Sequence, residues 1–141
     1  MPGCVLRVDA TTKAVEAFLA SSKLSPSVVF IKGRPRVPGG KRLSTASGFN
    51  IVVSKASGAS LSSQARVAVR FINRHGAELD RLTHLRGFRG ATLDFGLWDV
   101  SSESRPWPSY RLSAPLIEAA GRHSLEIHLS FYGSPEENGA A

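Results

Sequence analysis

The chain has 141 residues, 42% of them hydrophobic, with a formal net charge of +7 and a pI near 10.3. That length and mix suit one globular domain, able to bury roughly two thirds of its unfolded surface without disulfides or a structural metal. A single cysteine, Cys4, excludes an internal disulfide and a cysteine-rich zinc site, and no apolar run approaches the roughly 18 residues of a membrane span.

In chain order, residues 4–8 predict a first strand, with β-branched Val5 and Val8. Thr11 or Thr12 is a suitable N-cap for the helix that follows, whose Val15, Phe18 and Leu19 share one face. That helix should stop before Leu24-Ser25-Pro26, because the residue preceding a proline avoids the α region. Residues 28–31 predict a short second strand. Residues 32–47, rich in glycine, proline and bases, predict a long loop or hairpin arm. Residues 49–53 predict a third strand.

Residues 60–74 predict a helix capped by Ser60 or Ser62, with Ala65, Val69 and Ile72 as its core stripe. Gly76 should break or kink it, and Leu79, Leu82 and Leu85 continue as a second helical piece. Residues 92–100 alternate (Leu93, Phe95, Leu97), as a strand with one buried face does. Residues 101–110 predict a loop. Ser113 caps a further helix, with Pro115 in its first turn and Gly121 as its stop. Leu125, Ile127, Leu129 and Phe131 alternate strictly in a last strand, and Glu126, His128 and Ser130 between them predict a solvated opposite face.

The order β-α-β-β-α-β-α-β does not alternate helix and strand one for one. It predicts an α+β fold over residues 1–132, with a mostly antiparallel sheet of about five strands and helices on one face. Residues 133–141 predict a frayed polar tail. The N-terminus lacks the charged and apolar segments of a secretory signal, so a cytoplasmic protein is expected.

Charge is unevenly distributed. Between Glu16 and Glu78 there is no acidic residue, while that stretch carries Lys23, Lys32, Arg34, Arg36, Lys41, Arg42, Lys55, Arg66, Arg70 and Arg74. Five of these bases fall in residues 32–42, among glycines that let a backbone approach an anion closely and arginines that supply planar paired donors. The segment lacks phosphate-loop spacing. Its structural reading is a solvated arm guarding a sheet edge. Arg66, Arg70 and Arg74 stand at i, i+4 and i+8, one stripe of a helix, at a repulsive cost of only a few tenths of a kcal/mol per pair. If stripe and arm adjoin, they form one patch for an acidic protein partner or, alternatively, for nucleic acid, where binding would depend steeply on salt. No familiar nucleic-acid-reading motif accompanies them.

His75, His84, His123 and His128 match no metal spacing, and no G-x-S-x-G elbow is present. Asp94 and Glu126 lie on strands expected to be neighbours and are the candidate carboxylate pair, although such residues more often form the solvated face of a sheet. Cys4 reads as a small buried strand residue. Trp107, between two prolines, could anchor a partner or fold back as a lid over the core. No catalytic residue, metal or cofactor is implied. A non-enzymatic binding module is expected, and a homodimer is allowed by an open outer sheet face.

The runs from Leu24-Ser25-Pro26-Ser27 to Lys32-Gly33 and Ser47-Gly48-Phe49-Asn50-Ile51, then Leu93-Asp94-Phe95, Leu112-Ser113 and Leu125-Glu126-Ile127, resemble the uncharacterised bacterial family known as domain of unknown function 4279. The resemblance spans roughly residues 4 to 132. Phe49 stands where that family commonly has tryptophan, and Arg34 where an acid often follows Lys-Gly. The resemblance implies a fold and no activity.

Overall fold

A computed structural model describes residues 3–55, 60–98 and 108–133. Among them the order is β1 (Cys4–Ala10), α1 (Thr12–Ser21), β2 (Val28–Phe30), β3 (Gly48–Ser54), α2 (Leu61–Arg74), α3 (Gly76–Thr83), β4 (Phe88–Trp98), α4 (Ala114–Arg122) and β5 (Leu125–Tyr132). The five strands form one open sheet in the order β2-β3-β1-β4-β5. Pairing is antiparallel except between β4 and β5. The domain is α+β, as its element order predicts.

Alternation decides which face is buried. Cys4, Leu6 and Val8 of β1, Phe49 and Ile51 of β3, Ala91, Leu93, Phe95 and Leu97 of β4, and Leu125 of β5 are all buried in one cluster with the apolar stripes of the four helices. The strand period of two places these residues on a single face, and a helix can cover only such a continuous apolar face. Phe18 of α1 shows how the layers lock. Its ring stacks on Phe49 at 5.5 Å, while the Arg81 guanidinium of α3 lies 4.6 Å over its centroid. Full burial of such a ring contributes about 1.5–3 kcal/mol. Thr11, Ser60 and Ser113 are the N-caps, each side chain accepting from the backbone N–H three residues on.

Several expectations change. The strand expected from residue 92 starts at Phe88, because Phe88 to Ala91 already pair with Ala10 to Val8 of β1. β5 runs parallel to β4, since α4 carries the chain back along the sheet before β5 begins. Gly121 lies inside α4. The left-handed turn after it falls on Ser124, at φ 56°. On α2, Ala68 is fully buried alongside Ile72, and Val69 only packs against the core edge. Phe131 follows the alternation yet is 52% exposed, its ring tilted against Tyr110 at 5.3 Å. Trp107 and residues 134–141 of the expected tail lie outside the described residues. No helix among those described is long and apolar enough to cross a membrane.

Candidate functional site: the basic arm

The arm between β2 and β3 is built by two glycine turns. Arg34 N–H donates to Ile31 O at 3.0 Å around Gly33 (φ 83°), and Gly40 N–H donates to Val37 O at 2.8 Å around Gly39 (φ 77°). In the second turn Pro38 supplies the fixed φ of position i+1 and Gly39 the positive φ of position i+2, a type II pattern. Between the turns, Gly33 N–H donates to Ser44 O and Ser44 N–H to Arg34 O, both at 2.8 Å, and Pro35 bridges Leu43. Proline fits there because that bridge does not require its missing N–H.

The arm's root is pinned by two buried serines. Ser47 Oγ accepts from Lys32 N–H at 2.9 Å and shares a 2.7 Å hydrogen bond with Thr12 at the start of α1. Ser44 Oγ donates to Ala46 O at 2.6 Å. These bonds hold residues 31–47 as a braced projection from the sheet.

Lys32, Arg34, Arg36, Lys41 and Arg42 are all exposed on it. The Arg36 guanidinium sits 4.2 Å over the Phe30 ring, and its Nε donates to Ser44 Oγ at 3.4 Å. Stacking on an aromatic face fixes the plane of that guanidinium. Arg36, Lys41 and Arg42 line an open concavity of about 520 Å³ with Val37 and Leu43, which are 67% and 53% exposed. Cations thus flank aliphatic surface. Lys32 lines a separate, smaller cleft at the root with Arg89, Thr12 and Thr45. Sequence reading missed Arg89, since only the pairing of β4 with β1 brings it beside the arm.

The described ion pairs are Arg7–Asp94, Arg81–Glu78, Arg122–Glu118 and His123–Asp80. None involves an arm cation. Arg66, Arg70 and Arg74 are exposed on α2 and also have no carboxylate partner among the described residues. No hydrogen bond, ion pair or ring contact there joins them to the arm. α2 packs on the helix-covered face against β3, β4 and α4.

The candidate carboxylate pair also changes. Asp94 is not solvated. It is 7% exposed, accepts from Arg7 Nε at 2.9 Å and from Ser130 Oγ at 2.6 Å, and faces His128 across the β4–β5 ladder. Arg7 Nη1 also reaches Asn50 Oδ1 at 3.3 Å once that amide is turned to face it. Glu126 lies opposite Thr92 and is exposed. The partner of Asp94 is thus an arginine 87 positions away in the chain, which no local spacing encodes. The Cys4 thiol is buried and pushed up to about 12, first by burial and then by the charge of Asp94, so it is not an activated nucleophile. His123 is buried and bonds Asp80 Oδ1 at 2.8 Å, tying the end of α4 to α3. His84 Nδ1 lies 2.7 Å from Asp80 O. No group of three His, Cys, Asp or Glu among the described residues could hold a metal ion.

Searched against protein-family models, curated proteins and solved structures, the chain gives no match.

Proposed function

We propose that this chain is a non-enzymatic binding module whose basic arm, through Lys32, Arg34, Arg36, Lys41 and Arg42, engages an acidic protein partner. One observation carries the reading. Five exposed cations stand on a hydrogen-bonded arm, and none is neutralised by a carboxylate of the described chain. Bringing an acidic surface to an arm whose backbone is already braced, with Arg36 fixed over Phe30, forfeits less freedom than ordering a loose loop would, which is where preorganised sites gain affinity. Val37 and Leu43 among the cations suit a partner that mixes acids with aliphatic residues, where a nucleic-acid backbone would ask for cations alone. Arg66, Arg70 and Arg74 would add long-range attraction from α2. Kinship with the uncharacterised family named above rests on the sequence motifs alone and adds no activity.

The test is a titration of the whole chain with a labelled peptide of mixed acidic and aliphatic residues, beside a random-sequence DNA duplex, each at low and at physiological salt. The peptide is expected to bind under both conditions and the duplex only at low salt. Tighter duplex binding with a steep salt slope would transfer the arm to nucleic acid. No binding of either at low salt would end the proposal.

A further inference from the structure

The two edges of the sheet are managed differently. β2 is three residues long, preceded by Pro26 and followed by the charged arm. Short strands, prolines and charges are how folded chains keep an edge from pairing with another chain. β5 is neither short nor interrupted by proline, and Glu126 is its one carboxylate. It spans eight residues without proline, lysine or arginine, and its register with β4 runs unbroken from Ala91↔Leu125 to Trp98↔Tyr132. On its outer side no backbone hydrogen bond is made among the described residues. Beside it Ile117 of α4 is 53% exposed and Phe131 52%.

We infer that β5 is a self-association edge, and that its occupant is the β5 of a second copy of this chain, paired antiparallel about a two-fold axis. Two charge arguments select a second copy here. The first is local. With the axis at Ile127, Glu126 of each chain lies directly opposite His128 of the other, so a carboxylate meets an imidazole N–H twice, while Leu125 lies opposite Leu129 on the other face. Both Glu126 and His128 are exposed and available for this. Directly opposed residues on antiparallel strands share a face and interact. The second is global. The arm projects beside β2, at the far edge of the sheet order β2-β3-β1-β4-β5. Pairing through β5 makes a continuous ten-stranded sheet with the two arms at opposite ends, which minimises repulsion between two molecules that each carry +7. Pairing through β2 would bring the arms together. A contact of one strand per partner is small for an interface, so the dimer is reversible and of modest affinity.

Sedimentation of the full chain over a wide concentration series tests this, with hydrogen exchange measured at both ends of the series. A reversible monomer–dimer equilibrium is expected, with amides of β5 gaining protection at high concentration and those of β2 unchanged. Glu126→Lys removes the carboxylate acceptor from each cross-strand pair and His128→Glu opposes two carboxylates, and each should weaken the dimer about fivefold. The double variant sets a lysine opposite a glutamate and should restore it. Both positions are exposed, so unfolding midpoints of the dilute variants should match the parent. A monomer at every concentration, protection gained at β2 instead, or dimerisation indifferent to both single changes would overturn the inference. The exchange pattern of the unmodified chain decides the matter even if a variant fails to fold.

Discussion

The arm and the Arg7–Asp94–Ser130 cluster both place an arginine beside the sheet, and they use it in opposite ways. Arg7 is committed. Its Nε meets a carboxylate that is nearly dry and that accepts a second hydrogen bond from a neighbouring strand. Arg36 is held with equal definition, over Phe30, but by a ring and a serine that leave its charge unmatched. Position alone therefore does not tell a neutralised arginine from an unmatched one. The difference lies in whether the fold supplies the counter-charge.

The largest effect that could break this contrast is on binding. Changing Lys32, Arg34, Arg36, Lys41 and Arg42 together to Gln should weaken the acidic peptide by about a hundredfold, at roughly 0.5 kcal/mol per cation. The unfolding midpoint should move little, because no arm cation forms an ion pair among the described residues and only the exposed Arg36 stack on Phe30 and its bond to Ser44 are lost. Next is Asp94→Ala, which should cost about 2 kcal/mol in denaturant unfolding, since it strips two hydrogen bonds from a buried charged acceptor and leaves Arg7 unmatched. Peptide binding should be unaffected by it, and a matching loss of binding would merge the two regions into one.

Acid should reveal a third, smaller effect. Glu78 is held below its ordinary value of 4.5, first by its hydrogen bond from Arg81, with the Lys23 N–H, the Arg81 charge and Ser22 adding to it against the opposing effect of burial. A depressed carboxylate pKa adds stability that is present above the unfolded value and lost as pH falls through the folded one. Stability should therefore decline as the pH falls below 4.5, the ordinary value of this carboxyl. Glu78→Gln should flatten that part of the profile without altering peptide binding. The smallest expected change is Arg36→Lys. It keeps the charge and loses the planar stack on Phe30, and should weaken the peptide about twofold to threefold.

The arm was legible in the sequence because everything that makes it lies within a few positions: Pro38-Gly39 for the turn, Gly33 for the root, and five bases without an acid. The core was legible for the same kind of reason, since a period of two at Leu93, Phe95 and Leu97 and the caps at Thr11, Ser60 and Ser113 are local signals. What could not be read was anything that depends on which strands lie side by side. Asp94 reads as solvated until β1 brings Arg7, whose own partner is Thr92, diagonally within reach of it and β5 brings Ser130. Arg89 joins the root of the arm only through the early start of β4. Ser124 takes the positive φ expected near Gly121, because α4 continues until His123 is buried against Asp80.

The central place of β1 bears on how the chain acquires this structure. β1 is the first strand to be synthesised and has partners on both sides, and those partners are complete only at Ser54 and Trp98. Until β3 arrives, its apolar residues Leu6 and Val8 have no sheet to enter, and until β4 arrives one of its backbone edges stays unsatisfied. Closing such distant pairings delays folding and lengthens the time during which a nascent chain is vulnerable to aggregation. Within this domain the commitment to fold therefore waits for β4, and a chain stalled before that point would be one for chaperones to hold.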